Sequence, residues 1–285
     1  MPRTTGERRR WAVAQAFSPP GSWAGGDRYE AYVGRWSRPV ARRFVAWLTV
    51  PAGARWLDVG SGTGALSRTI LAMAEPAAVL GVDPSPEFVA HAAAHVPDSR
   101  AAFREGAAQA LPVDDVAVDA VVSGLVLNFV PDPLAALAEM RRVVRPDGVV
   151  AAYVWDYTEG MQLMRRFWDA AAELDPGVRD LDEGLRFPLC RPEPLGELFT
   201  EAGLADVAVE EIVVPTVFAD FDDYWTPFLG GTGPAPAYAV QLPEAERAAL
   251  RESLRSSLPT EPDGSIHLTA RAWAVRGRRC SHAAS

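Results

Sequence analysis

Short apolar runs alternate with segments of helical periodicity between residues 55 and 155. Runs of about five apolar residues bounded by Gly, Pro or Asp are typical of buried strands, whereas apolar positions three and four apart are typical of amphipathic helices. The alternation predicts a parallel sheet with helices on both faces and right-handed crossovers. The predicted strands are residues 55–59, 78–82, 101–105, 119–127 and 148–155, and the predicted helices between them are residues 65–75, 86–95 and 133–144.

Helical periodicity also precedes the first strand and follows the fifth. Residues 29–48 predict an amphipathic helix, and Pro39 is the position at which it would be interrupted. Beyond residue 156 the alternation loosens. Two C-terminal strands with a long excursion between them are placed to pair antiparallel at one edge of the sheet. This region predicts helices at residues 160–174 and 192–202 and strands at residues 206–218 and 269–276.

Composition narrows the classes of partner. The chain has 285 residues, of which 48% are hydrophobic, and its net charge is −9. An acidic chain has no general attraction for nucleic acid or anionic lipid, and no run approaches the roughly 20 apolar residues of a membrane span. Cys190 and Cys280 lie far apart, so neither a disulfide framework nor a paired-cysteine metal site is expected. We therefore expect a cytoplasmic protein with no nucleic-acid or membrane partner.

Three glycines follow the first predicted strand. Gly60, Gly62 and Gly64 stand at the strand-to-helix turn, where nucleotide-binding loops of doubly wound folds lie. Glycine permits positive φ and close approach of a ligand to the backbone. The spacing Gly60-x-Gly62-x-x-Ala65 also satisfies a dinucleotide fingerprint, and a tight structural turn is a further alternative.

Two carboxylates bear on the choice of ligand. Asp83 ends the second strand, where an acid accepts hydrogen bonds from ribose hydroxyls. Asp58 stands two residues before Gly60, where it would repel a pyrophosphate and suit a ligand that presents a cation. The alternatives are capping roles: Asp58 in the loop, and Asp83 before the helix that follows Ser85.

The motifs together resemble those of the class I S-adenosylmethionine-dependent methyltransferases, in particular the methyltransferase type 11-like group. The resemblance covers residues 29–155 strongly and residues 192–203 less so. It implies an α/β fold with a doubly wound, Rossmann-like sheet of seven strands, the last one antiparallel, and helical lid insertions. The matching motifs are LDVGSGTG (57–64), GVDPS (81–85), LP (111–112), DAVVS (119–123) and EMRRVVRPDG (139–148).

The sequence also predicts a domain organisation, with residues 1–27 rich in Arg, Pro and Gly and weak in periodicity, and the resemblance implies a cofactor. A flexible tail (1–27) precedes a single domain (28–277), and a second tail follows (278–285). Residues 28–156 form the cofactor-binding half, and residues 157–277 form the substrate lid and antiparallel edge strands. The cofactor is S-adenosylmethionine, with Asp58 and the glycine loop around its methionine part and Asp83 on its ribose. The predicted cofactor-binding residues are Tyr32, Arg35, Asp58, Gly60, Ser61, Gly62, Gly64, Asp83, Pro84, Ala107, Ala108, Gln109 and Ser123.

The chain departs from the family pattern at two places and resembles it at a further pair of residues. Ala107 stands where relatives often have an acid that reaches the adenine amine, so backbone groups or Gln109 would take that role. Asn128 stands near the place of a histidine found in many relatives. Tyr32 and Arg35 resemble residues that cover the methionine end of the cofactor, and a plain amphipathic helix explains them equally well.

The expected reaction is in-line methyl transfer to a small organic acceptor. Alignment of the reactants can supply about 7–11 kcal/mol, so few catalytic residues are required. Asn128 and Asp156 are the catalytic candidates, with the alternatives of a turn former and a helix cap. His91 and His95 are four apart on a predicted helix, and we interpret them as a helix face rather than a metal site.

Apolar side chains beyond residue 156 are candidates for selecting the acceptor. Two roles are open for these side chains: simple packing, or a lid over an apolar or aromatic small molecule. Two other functions remain open: a nicotinamide-dependent oxidoreductase, which Asp58 and the absence of lysine disfavour, and a non-catalytic S-adenosylmethionine-binding module. The acceptor, the methylated atom and the oligomeric state stay open. The predicted lid residues are Met164, Trp168, Tyr224, Trp225 and Phe228.

Overall fold

The fold is known from a computed structural model that describes residues 34–231 and 233–281. The predicted tail at residues 1–27 and Tyr32 lie outside the described residues. The strands are β1 (Arg55–Val59), β2 (Ala78–Asp83), β3 (Ala101–Glu105), β4 (Val118–Gly124), β5 (Val144–Trp155), β6 (Leu204–Phe218) and β7 (Ile266–Arg279).

Helices occupy most of the remaining chain. Short 3-10 helices lie at Leu127–Phe129, Pro176–Leu181 and Thr226–Gly230. None of the helices in the part of the chain that the structure describes is long and apolar enough to cross a membrane. The α-helices are α1 (Arg35–Leu48), α2 (Ala65–Met73), α3 (Pro86–His95), α4 (Pro133–Val143), α5 (Gln162–Leu174), α6 (Glu183–Arg186), α7 (Pro192–Glu201), α8 (Phe221–Trp225), α9 (Pro234–Gln241) and α10 (Glu244–Ser257).

The seven strands form one sheet in the order β3-β2-β1-β4-β5-β7-β6. Strands β1 to β5 pair in parallel, and β7 pairs antiparallel with β5. The strand order reverses between β1 and β4, and ligands of doubly wound sheets bind beyond the carboxyl ends of the strands at that point. The predicted α/β, Rossmann-like fold with an antiparallel last strand is confirmed.

Contacts divide the described chain into two compact units. The sheet unit comprises residues 37–155, 189–212 and 272–281, and the helical unit comprises residues 34–36, 156–188, 213–231 and 233–271. The division near residue 156 falls where the sequence predicted the end of the cofactor-binding half. The predicted domain organisation itself stays a prediction.

The core of the sheet unit explains why its central strands carry apolar residues at successive positions rather than at alternate ones. Trp56 and Leu57 of β1, Val121 and Val122 of β4 and Val150 of β5 are at most 1% exposed. Side chains on both faces of a parallel sheet are covered by helices, so both sets of alternate positions must be apolar. The strand termini, by contrast, carry the polar residues.

Several bounds differ from those predicted, and three differences from the prediction have a physical cause in the structure. Helix α1 continues through Pro39, because the bond lost there is only that to Arg35 in the first turn, and a proline near a helix start is tolerated. Strand β4 ends at Gly124, not at residue 127, since Leu125 has a φ of 61°. Strand β7 continues to Arg279, whose Nη1 donates to three carbonyls at the end of α4, those of Arg141, Arg142 and Val144.

Candidate functional site

The glycine loop is fastened to the end of β2. The backbone N–H groups of Gly60 and Ser61 both donate to the carbonyl of Val82, at 2.7 and 3.1 Å. The N–H of Gly62 donates to Oδ2 of Asp83 at 2.9 Å. The loop therefore lies at the carboxyl ends of β1 and β2, beside the reversal in strand order.

Two glycines of the loop serve different purposes. At Gly60, where φ is 74°, a Cβ atom would lie 2.5 Å from Cγ1 of Val126, so packing alone requires glycine there. At Gly62, where φ is 51°, a Cβ atom would meet nothing within 4 Å. A tight structural turn accounts for Gly60, whereas the space at Gly62 is open to a ligand.

Asp58 is a buried carboxylate with one oxygen unsatisfied. Its side chain is 1% exposed, and Oδ2 accepts a hydrogen bond from Oγ of Ser67 at 2.7 Å. Oδ1 is buried and has no hydrogen-bond partner among the described residues. The net effect of its surroundings raises the pKa of Asp58 to about 7: burial is the main cause, hydrogen bonds from the side chain and backbone of Ser67 oppose the rise, and the nearby Asp83 adds a smaller increase. A bound cation would offset the cost of burying this charge.

Asp83 organises the loop through both carboxylate oxygens. Oδ2 accepts from the N–H of Gly62 and Oδ1 from the N–H of Ser85, each at 2.9 Å. Ser85, rather than Asp83, caps α3, because its hydroxyl accepts from the N–H of Phe88. Burial raises the pKa of the Asp83 carboxyl, and these backbone hydrogen bonds oppose the rise. Each oxygen retains a lone pair with which to accept a further hydrogen bond.

The other predicted cofactor residues described by the structure, apart from Arg35, belong to the sheet unit. Oγ of Ser61 is buried without a partner among the described residues. The hydroxyl of Ser123 donates to the carbonyl of Val59 at 2.8 Å and so ties β4 to β1. Ala107, Ala108 and Gln109 belong to a turn after β3, and Pro84 is exposed at the end of β2. Their roles toward a cofactor stay predictions.

The two catalytic candidates have different surroundings. Asn128 lies in the 3-10 helix after β4, and both ends of its side-chain amide are buried without a partner in the described chain. Asp156 belongs to the helical unit and accepts from the N–H groups of Thr158 and Glu159. Its Oδ2 also pairs with the guanidinium of Arg271 at 2.7 Å. These contacts show that Asp156 holds a turn, whereas both polar atoms of the Asn128 amide lack a partner among the described residues; the catalytic role of each stays a prediction.

Arg35 belongs to the helical unit. Its Nη1 donates to Oδ1 of Asp223 at 2.9 Å, and its guanidinium lies over the rings of Trp36 and Phe218 at 4.5 and 4.7 Å. A cation over two aromatic faces and paired with a carboxylate is stabilised where it stands. The predicted role of Arg35 at the cofactor stays a prediction.

The predicted lid residues are all buried in the helical unit. The ring of Phe228 stacks on that of Phe167 at 4.5 Å between centroids and lies 5.5 Å from that of Tyr224. The Tyr224 hydroxyl donates to the carbonyl of Leu163 at 3.0 Å. These side chains share dense packing, most of it aromatic. This packing agrees with the first interpretation, simple packing, and leaves open whether they also select the methyl acceptor. The buried members are Met164, Trp168, Tyr224, Trp225 and Phe228.

Sequence reasoning missed two buried residues with polar contacts, one in each unit. Ser67, which holds Oδ2 of Asp58, gave a signal in that a serine on the buried face of an apolar helix needs a partner. Glu183, a buried acid that accepts a hydrogen bond from Nε1 of Trp168, gave no signal in the sequence.

The rings of His91 and His95 stack with 4.0 Å between their centroids, and no group of three potential metal ligands occurs among the described residues.

Comparison with known proteins places these features in a family. Residues 57–152 match the family described as methyltransferase domain. The 2-methyl-6-phytyl-1,4-hydroquinone methyltransferase of Synechocystis sp. is 32% identical over 181 residues, which are 62% of this chain and 55% of that protein. The demethylmenaquinone methyltransferase of Roseiflexus castenholzii is 32% identical over 178 residues, which are 57% of this chain and 73% of that protein.

A solved structure has the same fold. The YcgJ protein of Bacillus subtilis superposes with a TM-score of 0.56 at 18% identity, over 85% of this chain and 98% of that one. This likeness concerns the fold alone. The chain spans about half the length of the first curated relatives that it matches, 55% and 48%.

Proposed function

The chain belongs to the class I S-adenosylmethionine-dependent methyltransferases, and on that premise we propose that it transfers a methyl group to a small organic acceptor. The observation that carries the proposal is the buried Asp58 carboxylate with Oδ1 unsatisfied beside an open Gly62. A negative pocket at a strand end suits a nucleoside that bears an ammonium group and disfavours a diphosphate.

The residues of the sheet unit fit S-adenosylmethionine, which supplies an activated methyl group on its sulfonium sulfur when it is bound. Asp58 would hold the ammonium of the methionine part, since that group satisfies Oδ1 and offsets the buried charge. The open side of Gly62 leaves room for the ligand against the backbone. Asp83 would accept hydrogen bonds from the ribose hydroxyls on its remaining lone pairs.

The acceptor we propose is a small aromatic or apolar molecule. Two relatives are named for a hydroquinone and for demethylmenaquinone. Asn128 of the sheet unit carries a buried amide without a partner among the described residues, and such an amide can orient a polar group of the acceptor. The protein's own contribution is to align the acceptor with the methyl group and to exclude water. The net charge of −9 disfavours a nucleic acid as the methyl acceptor.

Titration calorimetry tests the cofactor. We expect S-adenosylmethionine and S-adenosylhomocysteine to bind and NADH not to bind, because the carboxylate of Asp58 stands where a pyrophosphate would lie. Turnover of methyl-labelled S-adenosylmethionine is then measured against aromatic hydroquinones. Binding of NADH in place of the sulfonium compound would favour the oxidoreductase alternative, and cofactor binding without turnover of any acceptor would favour a non-catalytic module.

Asp83→Ala is expected to weaken S-adenosylhomocysteine binding about tenfold or more, because hydrogen bonds to a charged group are worth about 1.5–3 kcal/mol. The same change also removes the acceptor for the N–H of Gly62 and can disorder the glycine loop. Loss of a hydrogen bond to the ribose must therefore be distinguished from loss of loop order. Calorimetry with adenosine and with 2′,3′-dideoxyadenosine does this. Loss of the preference for adenosine supports contact with the ribose. Asp98→Ala, which removes a partly exposed acid paired with Arg100, is the control that should change neither affinity.

A preference for adenosine that survives in Asp83→Ala would assign Asp83 to loop order alone. The two oxygens would then be fully explained by the N–H groups of Gly62 and Ser85.

A further inference from the structure

A groove of about 700 Å³ lies on the surface of the sheet unit, between α7 and β6. Val207 and Val209 of β6 line one side, and Glu193, Glu197 and Glu201 of α7 line the other. Because residues 189–212 fall in one compact unit, the groove is formed entirely within that unit. The proposed function uses none of these residues.

The floor of the groove is apolar. Val207 and Val209 are half-buried and stand two residues apart, so their side chains share one face of β6. A Cβ atom on Gly196 of α7 would lie 3.2 Å from Cγ2 of Val209. The glycine therefore lets α7 approach β6 closely, and no side chain at this position covers the valine.

The groove lies along an open edge of the sheet. β6 is the last strand in the sheet order, with β7 as its neighbour on the inner side. Among the described residues no further strand pairs with its outer edge. Such an edge presents backbone N–H and C=O groups to which an extended polypeptide can add as one more strand.

Three exposed glutamates form a stripe along the rim of the groove. Glu193, Glu197 and Glu201 recur at every fourth residue of α7 and so share one face of the helix. None of the three side chains has an ion pair with another described residue. Like charges four apart destabilise a helix, and an acid at its C-terminal end opposes the helix dipole. Helix stability therefore accounts for Glu193 in the first turn but not for the other two, and a cationic partner would offset their cost.

The charges disfavour a second copy of this chain as the occupant. A twofold contact brings the same surface of both copies together, so the glutamate stripe of one copy would face that of the other. The net charge of −9 on each copy adds to the repulsion. Charge complementarity points instead to a basic partner.

The spacing of the glutamate stripe matches an extended chain. Residues four apart in a helix are separated by about 6 Å along its axis, and alternate residues of a strand by about 6.4–6.8 Å. Cations at alternate positions of a strand therefore meet successive glutamates, and their aliphatic stems cover Val207 and Val209. The groove is also open to solvent rather than enclosed, which suits a polypeptide better than a small molecule.

We propose that the groove between α7 and β6 binds a basic, extended segment of a partner protein. The segment adds to the outer edge of β6 and presents Arg or Lys at alternate positions to the glutamate stripe. Its backbone supplies affinity through hydrogen bonds to β6, and its alternate side chains supply specificity. The inference holds for any methyl acceptor and is independent of the proposed function.

Fluorescence anisotropy on the full chain tests the groove with the labelled peptide RTRTRTR at an ionic strength of about 0.05 M, where exposed charges are weakly screened. The peptide RRRRTTT has the same composition and charge without the alternation. We expect RTRTRTR to bind at least about fivefold more tightly, because only its cations reach all three glutamates. N-methylation of its backbone amides should weaken it by about the same factor, since the peptide then no longer donates hydrogen bonds to β6.

A variant with glutamine at all three positions of the glutamate stripe should bind RTRTRTR about tenfold or more weakly, and an ionic strength of about 0.5 M should weaken the wild type as much. Glutamine and glutamate have similar helix propensities, so α7 should stay folded. The matched control carries Glu244→Gln, Glu246→Gln and Glu252→Gln on exposed positions of α10. It changes the net charge equally and should leave the affinity within about twofold of the wild type.

Equal affinities for the two peptides, or binding that survives N-methylation, would overturn strand addition. Unchanged binding in the variant of the glutamate stripe would overturn the site. Displacement of the peptide by an equal concentration of spermine would identify a site for a small polycation instead. A dimer that this variant strengthens would identify a second copy as the occupant, and tighter peptide binding after replacement of Arg8, Arg9 and Arg10 by serine would assign the groove to the chain's own basic segment.

Discussion

Gly62→Val is expected to reduce S-adenosylhomocysteine binding by at least about a hundredfold while the sheet stays folded. A Cβ at this position meets no protein atom within 4 Å, so the added side chain fills the space that we assign to the ligand. The left-handed backbone of Gly62 adds strain of about 1–3 kcal/mol for a β-branched residue, which lowers stability without unfolding the core. Calorimetry measures the affinity, and thermal unfolding measures the stability.

Gly53→Val is the matched control for strain. Gly53 has a φ of 79°, belongs to the same sheet unit, and likewise has nothing within 4 Å of an added Cβ atom. It precedes β1, away from the glycine loop, so its valine variant should lose similar stability and keep its cofactor affinity. Equal loss of affinity in both variants would attribute the effect to destabilisation, and a wild-type titration for Gly62→Val would remove the ligand from this loop.

The central strands could be predicted from the sequence because their signal is local. Residues 55–59 and 101–105 were predicted with the bounds that β1 and β3 have, since each is a short run between turn-forming residues. The end of β4 was missed because apolar residues continue through residue 127, and only the left-handed backbone of Leu125 stops the strand. The end of β7 was missed because it is fixed by contacts of Arg279 with α4, more than 130 residues away in sequence.

In the candidate site, too, the features with a local signal in the sequence could be predicted, and those that depend on contacts between elements could not. Asp58, Gly62 and Asp83 were identified because a strand end followed by a glycine loop carries its chemistry in adjacent residues. Whether a carboxylate oxygen is left without a partner, however, depends on side chains from other elements. Asp58 meets Ser67 of α2, and Glu183 meets Trp168 of α5, and neither pairing follows from spacing.

The pH dependence of cofactor binding follows from the same unsatisfied oxygen of Asp58. Without ligand, burial raises the pKa of Asp58 to about 7 from its ordinary value of 3.8, so much of this carboxyl is protonated below neutrality. A ligand ammonium binds the ionised form and therefore displaces a proton. We expect the affinity for S-adenosylhomocysteine to rise from about pH 6 to about pH 8 and then to level off.

Asp58→Asn should weaken S-adenosylhomocysteine at least about tenfold at about pH 8, because the amide keeps the hydrogen bond to Ser67 but places a neutral donor where the ammonium would lie. It should also remove most of the rise in affinity with pH. Calorimetry across this pH range measures both effects. Asp98→Asn is the control, since Asp98 is partly exposed and the guanidinium of Arg100 lowers its pKa to about 2, well below the range tested.

The contribution of Asp58 to the free energy of unfolding of the ligand-free protein should fall with rising pH, whereas the cofactor affinity rises. Because the folded-state pKa of Asp58 lies above its unfolded value, the folded protein binds more protons than the unfolded chain between about pH 4 and pH 7, and the contribution of Asp58 to stability falls as pH rises through that window. Asp58→Asn removes this loss, so the variant should lose less stability than the wild type between about pH 5 and pH 8 in denaturant melts. A variant that bound less cofactor but lost as much stability as the wild type over this pH range would contradict the argument. It would mean that other groups of the protein already stabilise the ionised Asp58, and that the ligand ammonium is recognised by a different residue.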